Sequence, residues 1–420
     1  MRLIWSLAWR SAWHRRFGLS LVLVSVALST FLLLGLERLR HDVRQNFALS
    51  VSGTDLIVGA RSGSVQLMLY AVFRVGDATQ NIAYSSVEAL EADEAVAWVV
   101  PISLGDSHRG YPVVATSTAY FEHFRYGQNQ ALQLAQGQRF EGVFDVVLGA
   151  EVAARLGYSL GQTLTLNHGS GDIEELAHTD KPFRVVGILA PTATPVDRSL
   201  HISLQGMEAI HLDWVAGVPL PGRAVSAEQA LQHDLRPKSV TAALVGLKSR
   251  AAVFRVQRRV ADFKAEPLMA VLPGVALDEL WSLMGVGERA LKAMSALVGV
   301  VSLAGLVAVI ATSLEQRRRE LAVLRSIGAR PSHIFSLLVL EGLLVTACGA
   351  VMGAVLCAVA LLTLAPWLQA EWGLALSARR PSATEVQLLL SVVLAGGLAS
   401  VWPGWRAYRW SLADGLSPKA

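Results

Sequence analysis

Charge is scarce in this sequence. Only 17% of its 420 residues are Asp, Glu, Lys or Arg, against about 25% in an ordinary soluble domain. Cysteine is nearly absent. Cys348 and Cys357 both lie inside one apolar run, so no disulfide framework holds a soluble domain together. A thiol in such a run packs as a small apolar side chain. No G-x-x-x-x-G-K-[ST] stretch occurs, which excludes a P-loop ATPase within this chain. H-E-x-x-H and any Cys/His set with structural-zinc spacing are also missing. The net charge of +4 is small, and no dense basic patch is interleaved with aromatics, so nucleic acid is not an expected partner. The expectation is a chain with no catalytic residue, no cofactor site and no metal site of its own.

What the sequence has instead is long uncharged apolar runs, within a chain that is 53% hydrophobic. Crossing about 30 Å of hydrocarbon takes roughly 20 helical residues. Four runs qualify: Phe17–Leu36; Ala293–Leu314, with its approach from residue 289; 334–367, built around Gly342–Trp367; and Val386–Trp405. The first has basic residues before it, as a signal peptide would. However, "LLLGLERLRHDV" offers no small-x-small cleavage site, so it reads as an uncleaved anchor. Lys and Arg mark the inner side. They gather at the N-terminus (Arg2, Arg10, Arg15, Arg16), in the segment 315–333 and in the tail 406–420 (Arg406, Arg409, Lys419). The loop 368–385 carries only Arg379 and Arg380. Both termini then lie inside, and residues 37–288 lie outside. Trp5, Trp9 and Trp13 recur at i, i+4 and i+8, which reads as an interfacial helix over 1–16. The expected fold class is an α-helical membrane domain of four transmembrane helices, plus a large α+β domain inserted between helices 1 and 2.

The insert alternates strand-like runs ("AVAWVVPISL", "YPVVATST", "FDVVLGA", "QTLTLN", "FRVVGIL", "SLHISL", "SVTAALVGL") with helix-like ones ("AEVAARLG", "LQGMEAIHL", "SRAAVFRVQRRVADF"). Gly157 is placed to end a helix and Gly161 to make a turn. Most of the histidines are here: His108, His123, His168, His178, His201, His211 and His233. Asn167–Asp180 gathers His168, Asp172, Glu174, Glu175 and His178. It reads either as a labile metal loop or as a polar connection between strands. The spacing matches no known metal site and favours the polar connection.

Between the second and third runs, "SLEQRRRELAVLRSIGARPSHIF" places Arg317, Arg318, Arg319, Arg325 and Arg330 in a short interval. Good helix formers dominate it, Gly328 is a natural stop, and Pro331 a natural start for the next helix. Glu320, Leu321, Leu324 and Arg325 divide it into a charged and an apolar face. Inner positive charge alone requires neither an ordered helix nor an apolar face, so this segment reads as a docking helix. Glu341, near the start of the third span, either meets a link arginine or sits level with the headgroups. Gly349 and Gly353 have the G-x-x-x-G spacing that lets membrane helices approach closely.

"RRRELAVLRSIGARPSHIFSLLVLEGLL" resembles the cytoplasmic loop and third span of the MacB/FtsX/LolC-type permeases, also called type VII ABC transporter subunits. "VVLGAEVAARLGYSLGQTLTL" followed by "FRVVGILAPTATPVDRSLHISLQGME" resembles that family's periplasmic core domain. "WPGWRAYRWSLADGLS" resembles its C-terminal signature. The order of one span, a large ectodomain and three spans is also the family's, although MacB itself carries a fused ATPase that this chain lacks. The stretch Asp55–Ile82 matches no substrate-defining feature. The resemblance implies a multi-pass protein of the bacterial inner membrane. It would pair with a second permease copy or a paralogue and bind a separate cytoplasmic ABC ATPase that holds ATP and Mg. ATP hydrolysis would then be turned into periplasmic motion, with a possible periplasmic partner. Arg317, Arg318, Arg319, Glu320 and Arg325 would contact the ATPase, and Leu321 and Leu324 would fill its groove. Substrates of such systems include lipoproteins, peptides, drugs and lipids. The other reading is an FtsX-like transducer that activates a periplasmic partner.

Overall fold

The computed structural model describes residues 16–50, 52–76, 80–127, 129–169, 178–215, 218–219, 225–316, 321, 323, 325–326, 328–372 and 381–409. Among these, four helices are long and apolar enough to cross a membrane: Phe17–Asp42, Pro273–Thr312, Pro331–Ala365 and Ala383–Arg409. They coincide with the four runs expected from hydropathy. The helices are longer than the runs, at Arg16–Leu49, Pro273–Gln316, Pro331–Trp372 and Ala383–Arg409. The extension is largest in span two: its helix begins at Pro273, and the residues up to Met284 group with the second unit. Asp278, Glu279 and Glu288 end the apolar run, but charge does not interrupt backbone hydrogen bonding. Pro331 opens span three as expected, and Gly328 before it is left-handed, with φ +101°. The interfacial helix expected around Trp5, Trp9 and Trp13 lies outside the described residues, as do Arg379, Arg380 and Lys419. The chain divides into a helical unit (Met1–Asp42, Gly285–Leu368, Leu376–Ala420) and a second unit (Val43–Met284, Gln369–Ala375).

In the helical unit, span three carries glycines at two levels along its length. Gly349 and Gly353 lie against span one: a Cβ on Gly349 would meet Val26 at 2.8 Å, and one on Gly353 would meet Thr30 at 2.7 Å and the Ala27 carbonyl. The G-x-x-x-G pair is therefore a contact within one chain. Nearer the start of the helix, Gly342 faces Ser400, Gly396 faces Thr346 and Gly397 faces Leu343. Phe335 closes on Gly404, which follows Pro403 within span four, so "WPGW" is a packing element. Spans one and two are joined by a Ser29–Ser302 hydroxyl hydrogen bond of 2.8 Å.

The second unit is built on one mixed sheet. Its main path runs Thr163–Leu164, Phe183–Leu189, Asp145–Leu148, Leu200–Ser203, Tyr111–Thr116, Val96–Ser103, Ala242–Leu247, Leu56–Ala60 and Leu268–Val271. Phe183–Leu189 with Asp145–Leu148, and Leu200–Ser203 with Tyr111–Thr116, are parallel, and the other neighbours on the path are antiparallel. Successive side chains point to opposite faces, and here both faces are buried. Leu56, Val58, Val113, Ala115, Val146 and Leu148 join one core cluster, and Ile57, Val114 and Val147 join the other. Helices cover both sides, which is why the strands read as continuous apolar runs rather than alternating ones. The first cluster takes residues from the helices Tyr84–Glu91, Ala150–Leu156, Leu204–His211 and Val253–Ala261. The second takes them from Ser64–Ala71, Ala119–His123 and the start of Pro273–Gln316. Leu56–Ala60, inside the stretch that matched nothing by sequence, pairs with Leu268–Val271, so the first and last strands of the unit are neighbours. Gly157 ends its helix at φ +70° and Gly161 turns at φ +84°, both as expected.

His201 is fully buried beside the Tyr120 and Phe121 rings. Burial, and next the charge of Arg74, push its imidazole down to about 3. The unfolded ring protonates near 6.5 and the folded ring only near 3. Stability is therefore present above about 6.5 and is lost as pH falls through that window. We expect His201→Leu to remove about 1.4 kcal/mol per pH unit from the acid-side slope of unfolding free energy. Denaturant titrations of the two proteins between neutral and acid pH measure it. In the helical unit, Gly353→Leu is expected to destabilise by about 1–3 kcal/mol through overpacking, whereas Gly299→Leu, with open space around Gly299, leaves the melting temperature of the detergent-solubilised protein unchanged.

Candidate functional site

The basic link between spans two and three is anchored by an apolar residue. Leu321 is 4% exposed and shares a buried cluster with Leu306, Ile310 and Leu314 of span two, Ile334 and Leu338 of span three, and Ala407 of span four. This corrects the expectation that Leu321 fills a partner's groove, because it is already buried inside its own chain. Among the described residues here, Val323, Ser326, Gly328 and Arg330 are exposed and Arg325 is half-buried. Arg317, Arg318, Arg319, Glu320 and Leu324 lie outside the described residues. Glu341 is half-buried in span three, next to Gly342 and three residues past the buried Leu338.

A charged pair that sequence reasoning missed joins spans one and four. Arg38 donates from Nε (3.2 Å) and from a terminal nitrogen (3.1 Å) to the same oxygen of Glu385, whose side chain is 2% exposed. A cavity of about 290 Å³ beside it is lined by residues including Leu34, Arg38, Cys357, Leu361, Glu385 and Leu389. The available signal was a charge at the edge of each run, "GLERLR" and "ATEVQ", but pairing across the sequence was not readable.

In the sheet unit, His168 and His178 flank a segment whose middle lies outside the described residues. They converge with Asp106 and His211, and one ligand atom from each lies within 4.8 Å of all the others. The sequence expectation weighed only the segment Asn167–Asp180, and two of the four residues come from outside it. Asp172, Glu174 and Glu175 lie outside the described residues. Asp106 and His211 were invisible as partners because sheet pairing and a helix end bring them in from elsewhere in the chain. Burial alone would raise the Asp106 carboxyl, but hydrogen bonds from His168 and His211 outweigh it and hold the group at about 2. Burial pushes His178 down to about 4 against the pull of Asp106. For His211, burial is outweighed by its hydrogen bond to the Asp106 carboxylate and by that group's charge, and the imidazole is raised. Nearby, the fully buried Lys181 pairs with Asp213 at 3.0 Å and Asp180 at 2.7 Å.

Residues 19–263 match the MacB-like periplasmic core domain family, and residues 292–412 match the FtsX-like permease C-terminal family. Among solved structures, the periplasmic region of MacB from Actinobacillus actinomycetemcomitans is 13% identical. The match covers 55% of this chain and 94% of that one, with a TM-score of 0.34. The extracellular domain of the noncanonic ABC-type transporter YknZ from Gram-positive bacteria is 12% identical, with coverage of 52% and 98% and a TM-score of 0.30. No curated protein matches. With overall similarity this low, membership rests on the two family profiles, the first of which alone takes more than half the chain. The chain belongs to the MacB/FtsX-type permeases, the multi-pass membrane subunits of ABC transporters.

Proposed function

We propose that this permease couples ATP hydrolysis on a separate cytoplasmic ATPase, which holds the ATP and Mg²⁺, to motion of its periplasmic domain. It sits in a bacterial inner membrane with both termini cytoplasmic, paired with a second copy or a paralogue. The work done is the movement or extraction of a periplasmic or membrane-embedded substrate such as a lipoprotein, peptide, drug or lipid. The observation that carries this reading is the burial of Leu321 among residues of spans two, three and four. A link fastened in this way passes a push on its charged surface to three helices at once, whereas a loosely tethered loop would absorb it. The arginines suit that surface, because charge on a docking helix sets orientation and encounter rate. The orientation follows from Lys and Arg in the short segments.

Reversing Arg317, Arg318 and Arg319 to Glu is expected to abolish ATPase binding or its coupling to transport, with membrane insertion intact. Co-purification and ATPase activity in proteoliposomes read this out, and unchanged binding and activity would sink the coupling role. Orientation is tested separately by labelling intact cells with a membrane-impermeant thiol reagent, in a background lacking Cys348 and Cys357. A cysteine replacing the exposed Ser159 is expected to label, and one replacing the exposed Ser326 to be protected until the cells are opened.

A further inference from the structure

Asp106, His168, His178 and His211 come from four separate stretches, and each is fixed by its backbone. Asp106 and His168 stand directly opposite each other in the register between Asp106–His108 and Asn167–His168. His178 donates its backbone N–H to the Leu166 carbonyl at 2.8 Å. His211 is the last residue of the helix Leu204–His211. The four side chains therefore meet without needing to reorganise.

Their hydrogen bonding is incomplete in one consistent way. His211 Nδ1 lies 2.9 Å from the Met207 carbonyl, which can only accept, so Nδ1 carries the proton. In the neutral ring Nε2 then presents a lone pair, 3.0 Å from His168 Nδ1 and 3.4 Å from Asp106 Oδ1. His168 Nδ1 is also 3.0 Å from Asp106 Oδ1. Asp106 Oδ2 and both ring nitrogens of His178 are buried with no hydrogen-bond partner among the described residues. Asp106 is 4% exposed and His178 1%. Buried polar atoms normally find partners. One ligand atom from each of the four residues lies within 4.8 Å of all the others, and Asp106 Oδ2 and one nitrogen of a neutral His178 have lone pairs to offer. A proton on His211 would satisfy Oδ1 alone and leave His178 and Oδ2 as they are.

We propose that Asp106, His168, His178 and His211 bind one divalent transition-metal ion of the zinc class. Four ligands at about 2.0–2.1 Å in a tetrahedron stand about 3.4 Å apart, and three of the pairs here measure 3.0, 3.0 and 3.4 Å. Three imidazoles with one carboxylate suit zinc, and calcium or magnesium would want oxygen throughout. The Met207 carbonyl on His211 is the outer contact that orients a metal-ligating imidazole. Trp214 packs on His178 at 4.5 Å and on His168 at 5.1 Å between ring centroids, walling off one side. Four protein ligands close the coordination sphere, so this site holds an ion rather than activating water. Metal binding would tie His168 to His178 across the intervening loop.

The test uses the full-length protein in detergent, stripped with a chelator and titrated with Zn²⁺ against a chromophoric competitor near neutral pH. One Zn²⁺ per chain is expected, with affinity lowered about 100-fold or more by Asp106→Asn or His178→Gln and unchanged by His233→Ala, an exposed position. Co²⁺ added to the unmutated protein is expected to give the strong visible bands of tetrahedral coordination, a readout that does not depend on the variants folding. Wild-type binding no tighter than that of the variants, or only the weak bands of octahedral cobalt, would overturn the proposal and leave an ordinary His–Asp hydrogen-bond cluster.

Discussion

Close approach without side chains is the constraint on which the membrane part of this protein depends. In hydrocarbon, apolar surface gains nothing by leaving lipid for apolar surface, so helices associate through tight van der Waals contact and a few polar links. Span three meets this constraint at two levels. Gly349 and Gly353 admit the backbone of span one, and Gly342 admits Ser400 of span four. The Ser29–Ser302 hydrogen bond then adds span two to span one. Leu321 is buried against the resulting cluster, so the position of the basic link is set by the same packing that holds the spans. A change at these glycine contacts would reach the link through Leu338 and Ile334.

Buried charge is the second organising element. Arg38 with Glu385, and Lys181 with Asp213, are each withdrawn from water and each paired with good geometry. Such pairs are not efficient sources of stability, because desolvation offsets much of the attraction. Removing one partner is costly all the same, at about 3–5 kcal/mol. Their value is that they accept one arrangement and penalise others. Arg38 and Glu385 lie 347 positions apart in sequence and fix span four against span one. Lys181 holds the chain immediately after His178. In the sheet unit both faces of the strands are covered, so the chemistry-bearing histidines sit beyond the packed core, where the short Asp106–His108 and Asn167–His168 pair extends from Tyr111–Thr116.

Much of the architecture could be read from residues alone, because it follows from local rules. The four spans follow from the length of uncharged runs. Gly328 and Pro331 follow from what a helix end and a helix start tolerate. Strands such as Phe183–Leu189 follow from dense β-branched and apolar runs. Leu56–Ala60 and Leu268–Val271 were harder to read. A five-residue and a four-residue apolar stretch carry no period, and only their mutual pairing makes them strands. The start of the span-two helix at Pro273 was hidden by acidic residues, which lower hydropathy but leave the helix backbone undisturbed.

What the sequence by itself determined is the four spans, many of the insert's strands and helices, and the family: hydropathy, helix punctuation and the matching motifs need no knowledge of distant contacts. What only the tertiary structure decided is which residues meet. It turned Gly349 and Gly353 into a contact with span one, took Leu321 inward, joined Arg38 to Glu385, and brought Asp106 and His211 to His168 and His178. The physical reason is the same in each case. A side chain's chemistry depends on neighbours within a few ångströms, and strand register, helix ends and interhelical packing supply those neighbours from anywhere along the chain.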